Sequence, residues 1–181
     1  MTEIAAILRY WFDEAGPQKW FGGGPAFDDE VRTRLGLLHG RAAAGELAGW
    51  AATSDGALAL LLLLDQVPRN IFRGTPRAFA TDAAALAVAR RAVAADLDLA
   101  QPVPRRVFFY LPFEHSETLA DQQTSERLTR ERSGEANAIL YAVRHREIIE
   151  RFGRFPHRNA ILGRPSTAEE LEFLKEPNSS F

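Results

Sequence analysis

Three stretches of the chain concentrate side chains that can bind charge or move protons. They are residues 64–73 (LDQVPRNIFR), 108–117 (FFYLPFEHSE) and 151–159 (RFGRFPHRN). Each mixes aromatics, a proline and several charged or amide groups. In the first, Asp65 and Gln66 end an apolar run, and Arg69 follows Asp65 by four residues, within reach on a continuing helix. Arg69 and Arg73 can then face a cleft as an anion clamp, with Asn70 beside them. In the second, a helix begun at Pro112 puts Glu114, Glu117 and Asp121 on one face with His115 on its flank. Carboxylates beside a histidine suit general acid–base work, and the same cluster is where a divalent metal would be sought. In the third, Arg154, His157, Arg158 and Asn159 surround Phe155-Pro156, a set that fits a phosphate or carboxylate pocket.

Each stretch also has a purely structural explanation. A proline in or beside a helix frees backbone groups, and Asp65, Gln66 and Asn70 can satisfy them while the arginines pair with acids. Glu114 and Glu117 fit the first turn of a helix, where carboxylates meet the positive end of the dipole. Three such stretches in one small chain favour a shared site, in which Asp65, Arg69, Glu114, His115, Glu117, His157 and Arg158 converge. His115, His157, Glu114 and Glu117 are its candidate catalytic groups. Asp65, Gln66, Arg69, Asn70, Arg73, Arg154, Arg158 and Asn159 are its candidate ligand-binding groups.

Composition narrows the chemistry. The chain has 181 residues and no cysteine, which removes disulfides, thiolate nucleophiles, iron–sulfur clusters and cysteine zinc sites. Four histidines remain: His39, His115, His145 and His157. The formal charge of −2 is spread evenly over both halves, so nucleic acid is not the expected partner. Residues 144–164 hold six arginines and two acids, and residues 165–181 are acidic. The tail is therefore expected to fold back on the basic segment. Absent signatures include His-Glu-x-x-His, Glu-x-x-His, a P-loop, a dinucleotide fingerprint and a Gly-x-Ser-x-Gly elbow. No cofactor is expected. The longest apolar run, residues 57–64, falls far short of the ~20 needed to span a bilayer. The first residues lack a basic leader and carry Glu3, so the expected setting is cytoplasmic, with no membrane partner.

The elements that must position these groups are helices. Alanine and leucine far outnumber valine and isoleucine, and no segment offers a convincing partner strand. Thr2 caps a first helix with Ile4, Ile7, Leu8, Trp11 and Phe12 inward, stopped at Gly16-Pro17; residues 20–25 form a loop. A second helix covers about 27–44. A third, capped by Asp55, covers about 56–67 and is apolar all round, hence central, with Pro68 interrupting it. A fourth starts at Thr81-Asp82, and residues 105–113 are helical. A helix from Pro112 reaches Arg132, another covers 135–152, a short one covers 158–162, and a capping box at 166–169 starts the last. The sum is one all-α domain over 1–181 with about eight helices.

The three motifs, in this order, resemble the uncharacterised bacterial family numbered 924 among the domains of unknown function. RYWF at 9–12, KWF at 19–21, and a closing capped helix followed by Phe181 fit the same pattern. Val67 departs from it, standing where a phenylalanine often precedes the proline. The resemblance implies antiparallel helix pairs in a tetratricopeptide-repeat-like right-handed superhelix, and no established reaction. Two classes of function follow: an enzyme or binder for a small anionic ligand, or a helical interaction module whose groove takes a peptide.

Overall fold

The computed structural model describes residues 2–177, 179 and 180; Phe181 lies outside them. Among these residues there is no strand. Thr2 caps α1 (Glu3–Arg9) by accepting the Ala5 N–H, and the chain runs through a wide turn to Gly16. The expected loop at 20–25 is shorter, confined to residues 21–23 between two helices, α2 (Pro17–Trp20) and α3 (Gly24–Ala43), each with a proline in its first turn. α4 (Ser54–Leu61) is capped by Thr53 rather than Asp55. Thr53 has the extended backbone that lets its Oγ accept from Gly56 N, while Asp55 accepts from Gln101 Nε2 at 2.6 Å.

Pro68 does not interrupt the central helix. Residues Leu62–Gln66 form a π turn that passes directly into α5 (Val67–Ile71), where Pro68 occupies the tolerated first turn. The Val67 N–H reaches back to Leu62 O, and Pro68 has no N–H to give. The two carbonyls left over find side chains: Leu63 O is 2.8 Å from His39 Nδ1, and Leu64 O accepts from Thr81 Oγ1 at 2.5 Å. Every residue from Gly56 to Pro68 is buried, as the all-round apolar pattern expects.

α6 (Asp82–Ala94) and α7 (Val103–Glu114) follow. Pro112 lies inside α7, near its end, rather than opening a new helix. Glu114 and His115 therefore finish a helix, and α8 (Leu119–Leu128) starts only afterwards. The expected single face of Glu114, Glu117 and Asp121 does not form: Glu114 ends α7, Glu117 lies between the helices, and only Asp121 falls in the first turn of α8. The fully buried Gln122 of α8 donates from Nε2 to Glu114 O and Ser116 O, both at 2.6 Å, and fixes this corner.

α9 (Ala136–Phe152) stops at Gly153, whose positive φ suits glycine. Residues 158–162 are not a regular helix; a 3₁₀ turn at Pro156–Arg158 leads into further turns. α10 (Ala168–Phe173) carries the capping box one residue later than expected, between Thr167 and Glu170. One large apolar cluster spans residues from Ile7 to Leu128. A smaller one joins Ile148, Ile149, Phe155 and Phe173. From α6 to α9 each helix packs on the next, the neighbour pattern that stacked helical pairs require.

Candidate functional site

The two polar corners made by the π turn and by the end of α7 face each other. Asp65 Oδ1 lies 2.7 Å from His115 Nδ1. Asp65 Oδ2 accepts from Gln66 Nε2 at 2.5 Å. Arg69 stays in register through Pro68: its Nη1 is 3.2 Å from Asp65 Oδ1 and donates to Asp65 O at 2.8 Å. The same guanidinium grips Asp82 of α6 with both nitrogens, at 2.8 and 3.0 Å. Burial would raise the Asp65 pKa, but Arg69, His115 and Gln66 outweigh it and hold the carboxylate ionised.

The third motif enters through Arg158. Its Nη1 donates to His115 O at 3.0 Å and lies 3.6 Å from Asp82 Oδ2. Its guanidinium is sandwiched between Phe79 and Phe155, 4.7 and 4.5 Å from the ring centroids. Its Nε is buried with no hydrogen-bond partner among the described residues. Burial first, then Arg69, lowers its pKa to about 10.

An open cleft of about 440 Å³ runs past this cluster. Its polar lining is Asp82, His115, Ser116, Glu117 and Arg158, and the rest is apolar: Pro76, Phe79, Leu86, Pro112, Leu162 and neighbouring alanines. With Nδ1 committed to Asp65, His115 has Nε2 left for the cleft. Burial, followed by the charge of Arg69, lowers the His115 pKa against the opposing pull of Asp65. Its free-base form is therefore favoured at neutral pH.

A second buried layer lies beneath. Glu114, 4% exposed, has its carboxyl 3.2 Å from His145 Nδ1, which also approaches Tyr141 O at 2.8 Å. The His115 and His145 rings are 6.3 Å apart. Burial, then Asp65, pushes the Glu114 pKa up to about 8. Burial, then His115, brings His145 down to about 3. His157 stands against Phe155, with ring centroids 5.6 Å apart, and burial with Arg158 lowers it to about 4.

Other candidates fall outside the cleft. Asn70 and Arg73 turn away to Asp28 on α3, with Arg73 making two bonds at 2.7 and 2.8 Å. Arg73 is thus not part of a clamp with Arg69. Arg154 is held by both oxygens of Glu170, and Asn159 donates to Ser166 and Glu170, so these two dock α10. With the Arg151–Glu169 pair, they are the fold-back of the acidic tail onto the basic segment. Glu117 borders the cleft, but Arg164 binds it at 2.7 and 2.9 Å and the Phe155 N–H at 2.8 Å. Among the described residues no group of three or more His, Asp and Glu side chains is placed to hold a metal.

Sequence reasoning missed Asp82, Phe79, His145 and Arg164. Asp82 looked like a helix start and nothing more. His145 sits in a regular amphipathic helix, where only its place on the inner face marks it.

The family model described as "Bacterial protein of unknown function (DUF924)" matches residues 7–178. A solved structure of a protein of unknown function from Agrobacterium tumefaciens is 45% identical, with a TM-score of 0.92. The match covers 96% of this chain and 97% of that one. No curated protein matches. With members of the three motifs meeting at His115 and the family model matched over residues 7–178, the chain belongs to the bacterial DUF924 family.

Proposed function

We propose that the cleft binds a small ligand with an anionic oxygen and moves a proton on it. His115 is the acid–base group, Asp65 orients it, and Arg158 holds the oxygen. The observation that carries this is the 2.7 Å contact between Asp65 Oδ1 and His115 Nδ1 at the wall of an open cleft. A carboxylate on Nδ1 fixes the tautomer with the proton there, so the lone pair lies on Nε2. Nε2 accepts a proton from a ligand hydroxyl or a water, and Asp65 stabilises the imidazolium that results. Arg158 is the cation with an unfilled donor, because Arg69 already spans Asp65 and Asp82. We set this chemistry in the cytoplasm, on a tetratricopeptide-repeat-like frame; the stepwise packing of α6 to α9 supports the frame.

The test is thermal unfolding of wild type and His115→Ala with phosphates, carboxylates and nucleotides. A ligand at a hundred times its Kd stabilises the native state by about 2.7 kcal/mol. At least one anion should raise the wild-type Tm and leave that of His115→Ala unmoved. No shift with any anion, or equal shifts in both proteins, overturns the proposal.

A further inference from the structure

The anionic-ligand proposal leaves the ligand class open, and the cleft wall narrows it. We propose that the ligand is a monocarboxylate with an apolar body, its carboxylate on Arg158 beside His115 and its body along Phe79, Leu86 and Leu162. This rests on the function proposed above and deepens it.

Three observations carry the assignment. First, Arg158 has cationic donor capacity to spare. Glu117 is taken by Arg164 through two bonds and Asp82 by Arg69 through two. Arg158 reaches Asp82 only at 3.6 Å. Its guanidinium packs on Phe79 and Phe155, which accept no conventional hydrogen bond, and with Nη1 given to His115 O and Nε buried, Nη2 is the nitrogen with no hydrogen bond to the described residues. A single planar carboxylate fits one guanidinium edge. Second, two carboxylates already line the cleft. Asp82 and Glu117 both stand on its wall, so a di- or triphosphate would bring further charges up to resident carboxylates. Third, the lining other than its charged and polar groups is aliphatic and aromatic, with Pro76, Phe79, Leu86, Pro112 and Leu162, which suits an apolar body better than a polyol. The size suits a small organic acid, lying in the range of ~300–1,000 Å³ usual for ligand sites.

The experiment is calorimetric titration of the full chain with acetate, butyrate, hexanoate and inorganic phosphate. Burying a methylene is worth about 0.8 kcal/mol, so affinity should rise roughly fourfold per added CH₂ from acetate to hexanoate. Phosphate should bind more weakly than hexanoate. Arg158→Gln should abolish hexanoate binding. Because Arg158 is buried and that variant can unfold, Leu162→Ser is the second probe: Leu162 is 37% exposed and its loss spares the core. In Leu162→Ser the gain from acetate to hexanoate should shrink at least threefold. Phosphate binding as tightly as hexanoate, or a flat chain-length series, overturns the apolar-body assignment while leaving the anion site standing. No binding of any of the four, alongside a silent thermal screen, removes both.

Discussion

Asp65 and His115 are fifty residues apart in sequence, and their side chains meet at 2.7 Å. The contact joins a π turn to the end of a proline-containing helix, so two backbone irregularities face each other across it. π turns re-aim side chains within a helix and recur at functional sites. Here the turn brings Asp65 to His115 while Arg69 remains one helical cycle beyond.

Asp65→Asn should leave the volume intact and remove the charge. Asp65 raises the His115 pKa against burial and Arg69, so the His115 titration should move further down. Arg69 would keep only Asp82 as a counter-charge in a buried setting. Breaking one side of such a pair costs about 2–3 kcal/mol, below the full range for a buried pair because Asp82 remains. The checks are ring-proton NMR titration and urea unfolding. An unshifted His115 with undiminished stability would contradict the coupling.

Glu114 predicts a loss of stability on the alkaline side. The folded chain keeps a proton on it to about pH 8, while the unfolded chain releases it near 4.5. Its stabilising contribution is complete below the unfolded value and is lost as pH rises toward 8. His145, brought down to about 3, and His157, brought down to about 4, act with the opposite sign. Their contribution is complete above the ordinary value of 6.5 and is lost as pH falls. Together they put the maximum near pH 6.5. Between pH 6.5 and 8 the wild type should lose about 2 kcal/mol, at ~1.36 kcal/mol per pH unit. Glu114→Gln, neutral throughout, should lose almost none of it. Parallel urea-unfolding profiles for the two proteins would rule out a protonated Glu114.

Glu170 should matter to the last helix and not to the cleft. It caps α10 through Thr167 and receives Arg154 and Asn159. Removing a buried acceptor that serves several donors costs about 1–3 kcal/mol. Glu170→Ala should speed hydrogen exchange across residues 168–173 and spare α4, with ligand-induced Tm shifts unchanged. Exchange in α10 as slow as in wild type would show that the ion pair does not hold the helix.

The helical class was legible because alanine and leucine dominate and one long apolar run had to be central. The meeting of three motifs was legible from their shared make-up of proline, aromatics and charge. Which members of each motif meet was not. Arg73 and Arg69 look alike in sequence, and Asp28, lying on another helix, draws only the first away. Arg154 and Arg158 diverge because Glu170 captures one of them. The two prolines misled in opposite ways. Pro68 sits where a helix restarts after a wide turn, and Pro112 sits inside a helix, so neither ends its element. Tertiary partners such as His39 and Thr81 decide such cases by filling the carbonyls left open.

That last relation yields a test by double substitution. Thr81 Oγ1 donates to Leu64 O because Pro68 cannot. Thr81→Val should leave a buried carbonyl unfilled at a cost of about 1–2 kcal/mol. Pro68→Ala restores an N–H four residues after Leu64, which can take over the bond. In the Pro68→Ala background Thr81→Val should therefore cost less, with a coupling of about 1 kcal/mol between the two sites. Chemical unfolding of the four proteins measures it. Additive effects would mean that the Thr81 hydroxyl is not what replaces the missing proline donor.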